Sequence, residues 1–389
     1  MNTLVTLKHV MVLTGEPSGD FHAGRLVEEI RKKNGRIYFS GIGGPILKQQ
    51  GVDLFYDIEK LSAMGITEVF LQFRYIKKAF DLFREKLRHH LPDLIILVDY
   101  PGFNLRAAKY VKDHYNIKIL YYITPKVWAW KKNRLFKIKK YVDYAALIFP
   151  FEEKLFKKTG ISSNYVGNPL LDEYPENFPK SLFGSKTVSY KANDPIIIGL
   201  LPGSRSAEIK NLLNIMIQSA CLIHQRQKQV RFLVSKASSV RRVWIEEGIK
   251  KSGNPQLFEI VEGHVGEIFK QSNMIIAASG TVTLEAALYH IPTILIYKMS
   301  IASFWVAKLL VKVKYAGLAN LIVNEEIMPE LLQYKASPDK ICKKAIYMIN
   351  HQNYYQTRLE LVRKKLGKKG AAKNTACIAI HLLREFHPI

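Results

Sequence analysis

Leu94-Ile95-Ile96-Leu97-Val98-Asp99-Tyr100-Pro101-Gly102-Phe103-Asn104 is the stretch that decides how this 389-residue chain is read. Five consecutive apolar residues leave no polar face, so the run suits a strand covered on both sides, as in a buried parallel sheet. It stops at an acid, an aromatic, a proline and a glycine, the punctuation of a strand-to-helix turn. The same grammar recurs upstream and downstream. Val10-Met11-Val12-Leu13-Thr14 ends in Gly15-Glu16-Pro17-Ser18-Gly19-Asp20 ahead of a helix expected over 21–33, and Ile117-Lys118-Ile119-Leu120-Tyr121-Tyr122 ends near Thr124-Pro125.

From 170 to 194 the alternation dissolves into a polar, proline-containing stretch around Asp172-Glu173-Tyr174-Pro175, which reads as an interdomain linker. It restarts with Ile196–Leu201, then Phe232-Leu233-Val234, Met274–Ala278 and Thr293–Tyr297. The expectation is an α/β chain of two Rossmann-like, doubly wound domains facing a central cleft. The domains are expected over 1–185 and 186–389, with the last helix packing back on the first. Ligands of such open sheets gather beyond the carboxyl ends of the strands, so functional residues are sought there.

Composition narrows the partners. A formal charge of +25 favours an anionic partner, although a lysine-rich solvated surface produces the same number. No recognised nucleic-acid-binding pattern accompanies the charge, so nucleic acid is not expected. Cys221, Cys342 and Cys377 lie far apart without zinc or disulfide spacing, which fits a reducing cytoplasm. The apolar run at Val10-Met11-Val12-Leu13 is too short for a signal peptide, and lysines interrupt the longest apolar stretch before it reaches the ~18 residues of a membrane span.

Leu201-Pro202-Gly203-Ser204-Arg205-Ser206-Ala207-Glu208-Ile209 joins a strand to a helix. Its amides, with Ser204 and the Arg205 fork, can cradle a diphosphate, or the stretch is a capped helix start with a surface arginine. Ser279-Gly280-Thr281 repeats the arrangement, and Glu285 one turn further in can bond a ribose diol or serve as an ordinary surface carboxylate. Two such starts in one domain favour a nucleotide diphosphate. Asp99 at its strand tip can act as a general base or cap the helix beginning near Asn104. Residues 61–90 carry Met64, Ile66, Val69, Phe70 and Phe73 at helical spacing among Arg and Lys, which suits an anionic membrane interface or the domain's own sheet. Trp128, in Trp128-Ala129-Trp130-Lys131-Lys132, can bind a sugar face or plug a wall.

Taken together, Gly15 to Asp20, Gly41-Ile42-Gly43-Gly44, residues 62–69, Asp99 to Asn104, Thr124 to Trp130, Leu201 to Ile209, residues 278–288 and Asn320 through Pro329-Glu330 to Gln333 resemble the lipid-A-disaccharide synthase family, in family order along nearly the whole chain. The resemblance implies the GT-B glycosyltransferase fold and an inverting, cofactor-free reaction in lipopolysaccharide synthesis. UDP-2,3-diacylglucosamine would condense with 2,3-diacylglucosamine 1-phosphate (lipid X) to a β-1,6 disaccharide and UDP. It implies Asp99 as the base and Glu16, Ser18, Gly19, Asn104, Trp128, Ser204, Arg205, Ser279, Gly280, Thr281, Glu285, Asn320 and Gln333 as substrate-binding positions. Met64, Ile66, Val69, Phe70 and Phe73 would then meet acyl chains or membrane, with the enzyme held peripherally on the cytoplasmic face of the inner membrane and a homodimer left open.

No Asp-x-Asp pair offers a metal, and none is expected to be required. Asn168 stands where the family pattern has a histidine, Asn273 where it has an aspartate and Ala319 where proline is usual. The alternatives are an enzyme of the same fold resembling UDP-N-acetylglucosamine 2-epimerase, or a non-enzymatic basic membrane-binding protein.

Overall fold

Leucine and β-branched runs bounded by glycine, proline and aspartate become parallel strands because both of their faces can be buried. In the first unit these are β1 (Lys8–Leu13), β2 (Ile37–Gly43), β3 (Asp53–Asp57), β4 (Leu94–Val98), β5 (Lys118–Tyr122), β6 (Tyr144–Leu147) and β7 (Ser163–Tyr165). The computed structural model describes residues 7–58, 69–128, 133–173, 195–263, 265–300 and 313–384, with backbone alone for 69–73 and 133. Among them the chain divides into two compact units, one of residues 1–174 with 368–389, the other of residues 175–367.

The first sheet has the order β3-β2-β1-β4-β5-β6-β7, with its strands in parallel register. The strand order reverses between β1 and β4, which is where a doubly wound sheet opens a crevice. Met11, Leu13, Ile95 and Leu97 face a core shared with α3 (Val69–His89) and α4 (Pro101–His114). Val10, Val12, Leu94, Ile96 and Val98 face one shared with α1 (Pro17–Lys33). Each fully buried aliphatic side chain contributes ~1.5–3 kcal/mol, so removing either face would cost the unit its fold.

Helix α1 starts at Pro17, four residues before the expected 21, because proline is well suited to a first helical position with no amide to satisfy. Ser18, Gly19 and Asp20 therefore belong to its first turn. Asp20 is buried there, and its carboxylate accepts from the amides of Gly44 (2.7 Å), Ile46 (2.9 Å) and Leu47 (3.3 Å) at the start of α2 (Pro45–Gln49). The glycine-rich Gly41 to Gly44 segment is thus tied internally to the first helix.

The second unit repeats the plan. Its strands are β8 (Ile196–Leu201), β9 (Val230–Lys236), β10 (Phe258–Glu262), β11 (Met274–Ala278), β12 (Thr293–Tyr297) and β13 (Glu330–Leu332), in the parallel order β10-β9-β8-β11-β12-β13. Its reversal lies between β8 and β11. The terminal helix Ala371–Arg384 returns to the first unit, burying Ala376, Ala379, Leu382 and Leu383 beside Leu26, Val27 and Ile30 of α1. Asp172 accepts from the amides of Gly370 (2.6 Å) and Ala372 (3.4 Å) as that helix begins. Among the described residues no helix is long and apolar enough to cross a membrane.

Replacing Asp20 by alanine strands buried amides at the start of α2. The expected loss is ~1–3 kcal/mol in the first unit's urea transition, and an unchanged midpoint would contradict the bracing role.

Candidate active site

The two strand-order reversals place most of the sequence candidates at two strand-end clusters, one in each unit. In the first unit, β1 delivers Thr14, Gly15 and Glu16, and β4 delivers Asp99 and Tyr100. Asp99 (φ 48°) and Tyr100 (φ 42°) are both left-handed, a conformation costing ~1–2 kcal/mol per non-glycine residue. The Asn104 amide holds this turn by donating to Asp99 O (2.7 Å), Val98 O (3.2 Å) and Leu13 O (3.3 Å). The buried Tyr121 hydroxyl also donates to Asp99 O (2.8 Å), and the Asp99 amide donates to Tyr122 O (3.2 Å). The Tyr100 ring then lies over Gly15, where a Cβ would stand 2.1 Å from Cδ1, so this position requires glycine.

This geometry removes one of the two readings of Asp99. Helix α4 is preceded by Tyr100 as its N-cap, without a side-chain capping bond, so Asp99 is not the cap. Its carboxyl group is raised from an ordinary 3.8 to about 6, first by burial and then by the charge of Glu16, while Lys126 and the Tyr100 amide oppose the shift. Glu16 and Ser18 are exposed at the α1 start, and Gly19 is buried against the Thr14 hydroxyl. Asn104, expected to meet substrate, is fully buried and its amide is spent on backbone carbonyls, so it belongs to the frame. The buried hydroxyls of Thr14 and Thr124, beyond β1 and β5, have no hydrogen-bond partner among the described residues.

Trp128 donates its indole N–H to Glu152 Oε1 (3.0 Å), with its ring edge-on to Phe151. Glu152, at the start of the helix Glu152–Lys158, is buried, accepts from the Phe149 amide (3.1 Å) and is pushed up to about 8 by burial. Reading the sequence missed Glu152; its signal was an acid just beyond the strand Tyr144-Ala145-Ala146-Leu147. Asn168 donates to Ile148 O and accepts from the Leu170 amide, and Asn273 accepts from the Ile197 amide, so both substituted positions brace backbone.

In the second unit, Gly203 (φ 108°) turns the chain from β8 into the helix Ser206–Arg226. One expectation changes here. The amides of Ser204 and Arg205, expected to receive a diphosphate, donate to Glu208 Oε2 (3.0 and 3.2 Å), because a carboxylate three residues into a helix supplies an anion of its own. The Arg205 side chain stays 83% exposed and loosely paired with Glu208 (3.7 Å). By contrast, the amides of Gly280, Thr281 and Val282 at the start of Thr281–Leu288 meet no acceptor among the described residues. Ala277 pairs with Leu201, which sets the Ser279 turn beside the Gly203 turn. Glu285 is half-buried one turn into that helix.

The side chains of Asn320 and Gln333 are also engaged within the chain. Asn320 is fully buried, donating to Met328 O (2.7 Å) and Glu330 Oε1 (2.8 Å) and accepting from the amides of Ile327 and Met328. Gln333, itself left-handed at φ 53°, clasps Met299 through both its amide atoms. Met64 and Ile66 lie outside the described residues, as do the side chains of Val69, Phe70 and Phe73. Further along α3, Ala79, Phe83 and Leu87 are buried against the sheet, so there the apolar stripe serves the unit's own core.

A family model described as Lipid-A-disaccharide synthetase matches residues 10–382. The chain belongs to this family. It is 35% identical to the lipid-A-disaccharide synthase of Coxiella burnetii (strain Dugway 5J108-111), covering 97% of this chain and 99% of that one. To the synthase of Nitrosococcus oceani it is 36% identical, covering 96% of each. Lipid-A-disaccharide synthases are glycosyltransferases, and this chain is an enzyme of lipid A biosynthesis. Among solved structures it is similar to the S. aureus MnaA-UDP co-structure (TM-score 0.64, 13% identity, 94% of each chain). It is also similar to Acinetobacter baumannii MurG (TM-score 0.56, 14% identity, 97% of this chain and 100% of that one). Identities this low show a shared GT-B fold and do not support the epimerase alternative.

A stability signature follows for this synthase family member. Between pH 3.8 and about 6 the folded chain holds a proton on Asp99 that the unfolded chain has released, so the group costs stability as pH rises through that window. Asp99→Asn removes the cost and should gain up to about 3 kcal/mol on wild type between about pH 4 and about pH 7. Urea unfolding at the two pH values checks this; a constant difference would mean a solvated, ordinary carboxylate.

Proposed function

We propose that the enzyme transfers 2,3-diacylglucosamine from UDP to the 6-hydroxyl of 2,3-diacylglucosamine 1-phosphate, with inversion, at the cytoplasmic surface of the inner membrane. Family membership along 10–382 supports the reaction. The observation that carries the mechanism is Asp99, a half-buried carboxylate raised to about 6 and aimed by a strained turn.

A base is most useful when its pKa is near the working pH, and Asp99 meets that condition: above pH 6 it is ionised yet basic enough to take a hydroxyl proton. As the acceptor oxygen bonds to the anomeric carbon, the bond to the diphosphate breaks and UDP leaves with the electron pair. The charge it gains needs donors already in place. The open amides of Gly280 to Val282 and the Arg205 guanidinium are assigned that task. Glu208 has a second role in this scheme, keeping the Gly203 turn closed until the nucleotide arrives. Glu285 is assigned the ribose hydroxyls, and the Trp128 ring a sugar face.

UDP release from the diacylated donor and acceptor in detergent tests the reaction. Asp99→Asn is expected to lower kcat by ~10²–10⁴ while leaving UDP binding intact, and wild-type kcat/KM should rise with pH and level off above about 6. Near-normal turnover of the variant would dismiss Asp99 as the base. Arg205→Ala should weaken UDP binding by ~1.5–3 kcal/mol in a calorimetric titration, the worth of a charged hydrogen bond; unaltered affinity would remove Arg205 from the diphosphate site.

A further inference from the structure

The carboxyl ends of β4, β5 and β6 lie side by side, with Val98 paired to Tyr122 and Tyr122 to Ala146. Asp99 follows the first of these strands, Trp128 the second and Glu152 the third. Among the described residues two acids are buried, Asp20 and Glu152. Asp20 gives both of its oxygens to backbone amides and acts as a brace. Glu152, 1% exposed, divides its carboxyl group: Oε2 accepts from the Phe149 amide at its own helix start, while Oε1 accepts from the indole of Trp128 in the loop beyond the neighbouring strand.

The second side-chain torsion of tryptophan is broad, so the orientation of an indole is set by what surrounds it. Around Trp128 stand Phe149 (6.3 Å) and Phe151 (5.1 Å), each perpendicular to the indole, and the two phenyl rings stack on each other (5.5 Å). Neither phenyl lies flat on the indole, and Trp128 is half-buried. Hydrocarbon contacts of this kind tolerate a turned ring. The bond to Glu152 does not, because turning the ring away leaves an indole N–H and a buried carboxyl oxygen unmet.

We propose that Glu152 is a positioning residue, fixing the Trp128 indole through Oε1 in the orientation that meets a face of a substrate glucosamine ring. The role rests on the reading of Trp128 given above and adds the group that aims it. Burial keeps Glu152 itself off the substrate. Donor and acceptor each carry a glucosamine ring, and their separate KM values distinguish which of them Trp128 meets.

Steady-state UDP release with the diacylated donor and acceptor, combined with NMR of the indole N–H resonances, tests the role. The chain has four tryptophans, and the resonance missing from Trp128→Phe is that of Trp128. Glu152→Met keeps the shape of the side chain without an acceptor, Glu152→Leu makes the same deletion should the methionine variant not fold, and Glu152→Gln restores one oxygen. The methionine variant should move the Trp128 resonance upfield. It should raise KM for one substrate by about fivefold, within the worth of one oriented aromatic contact, and leave kcat within about twofold of wild type. A merely structural acid would instead lower the folded fraction, reducing kcat and sparing KM. Across the methionine, glutamine and wild-type enzymes, KM and the indole shift should move together. Glu153→Gln, which removes the adjacent acid that accepts from the Tyr165 amide (3.0 Å), should alter neither.

In a Trp128→Phe background, with no indole N–H to hold, Glu152→Met should have no further effect on KM. Additive effects in that cycle overturn the role, as does an unmoved indole resonance or a KM that ignores its movement for both substrates. Trp128→Ala with wild-type KM for both substrates would remove Trp128 from the sugar site and sink the reading beneath this one. A Trp128→Ala defect alongside silent Glu152 variants sinks the role of Glu152 alone.

Discussion

Three hydrogen bonds from the Asn104 amide, joined by one from the Tyr121 hydroxyl, hold the carboxyl ends of β1 and β4 in a shape that the backbone does not adopt on its own. Two consecutive left-handed, non-glycine residues persist only when their surroundings over-determine them. That constraint sets the placement of the Tyr100 ring over Gly15 and the stacking of Phe103 on Tyr100. The elevated carboxyl pKa has the same origin, since the turn that aims Asp99 also buries it near Glu16. Loosening Asn104 would therefore be felt at Asp99, the glycine turn and the start of α4 together.

The second unit solves a related problem with charge in place of strain. At the start of Ser206–Arg226 the Glu208 carboxylate accepts from the amides of Ser204 and Arg205, so an anion from within the helix satisfies them. The Gly280 turn has no such internal substitute among the described residues, and its amides remain open. One start is thus satisfied from within and the other is available, although both follow adjacent strands and look alike in sequence.

That contrast indicates what could be read from residues alone. The strands were legible because burial on both faces leaves an uninterrupted apolar run, as at Leu94–Val98, and the strand-end turns were legible because glycine, proline and aspartate interrupt those runs. The α1 start was placed late because Pro17 looks like a turn residue until its helical role is seen. Asn104, Asn320 and Gln333 read as ligand contacts, yet each side-chain amide serves the backbone. A polar side chain that braces a loop and one that touches a substrate have the same composition and differ only in direction. Glu152 escaped notice for the converse reason: nothing in Pro150-Phe151-Glu152-Glu153 reveals which of the two acids is buried.

The return of the final helix to the first unit has a consequence for biogenesis. Ala376, Ala379, Leu382 and Leu383 complete a core whose other members, among them Val10, Val12 and Leu26, leave the ribosome hundreds of residues earlier. The amino-terminal half must wait, with one flank of α1 uncovered, while the whole of the second unit is synthesised. For this chain, folding order and synthesis order diverge, and the unit begun first is finished last.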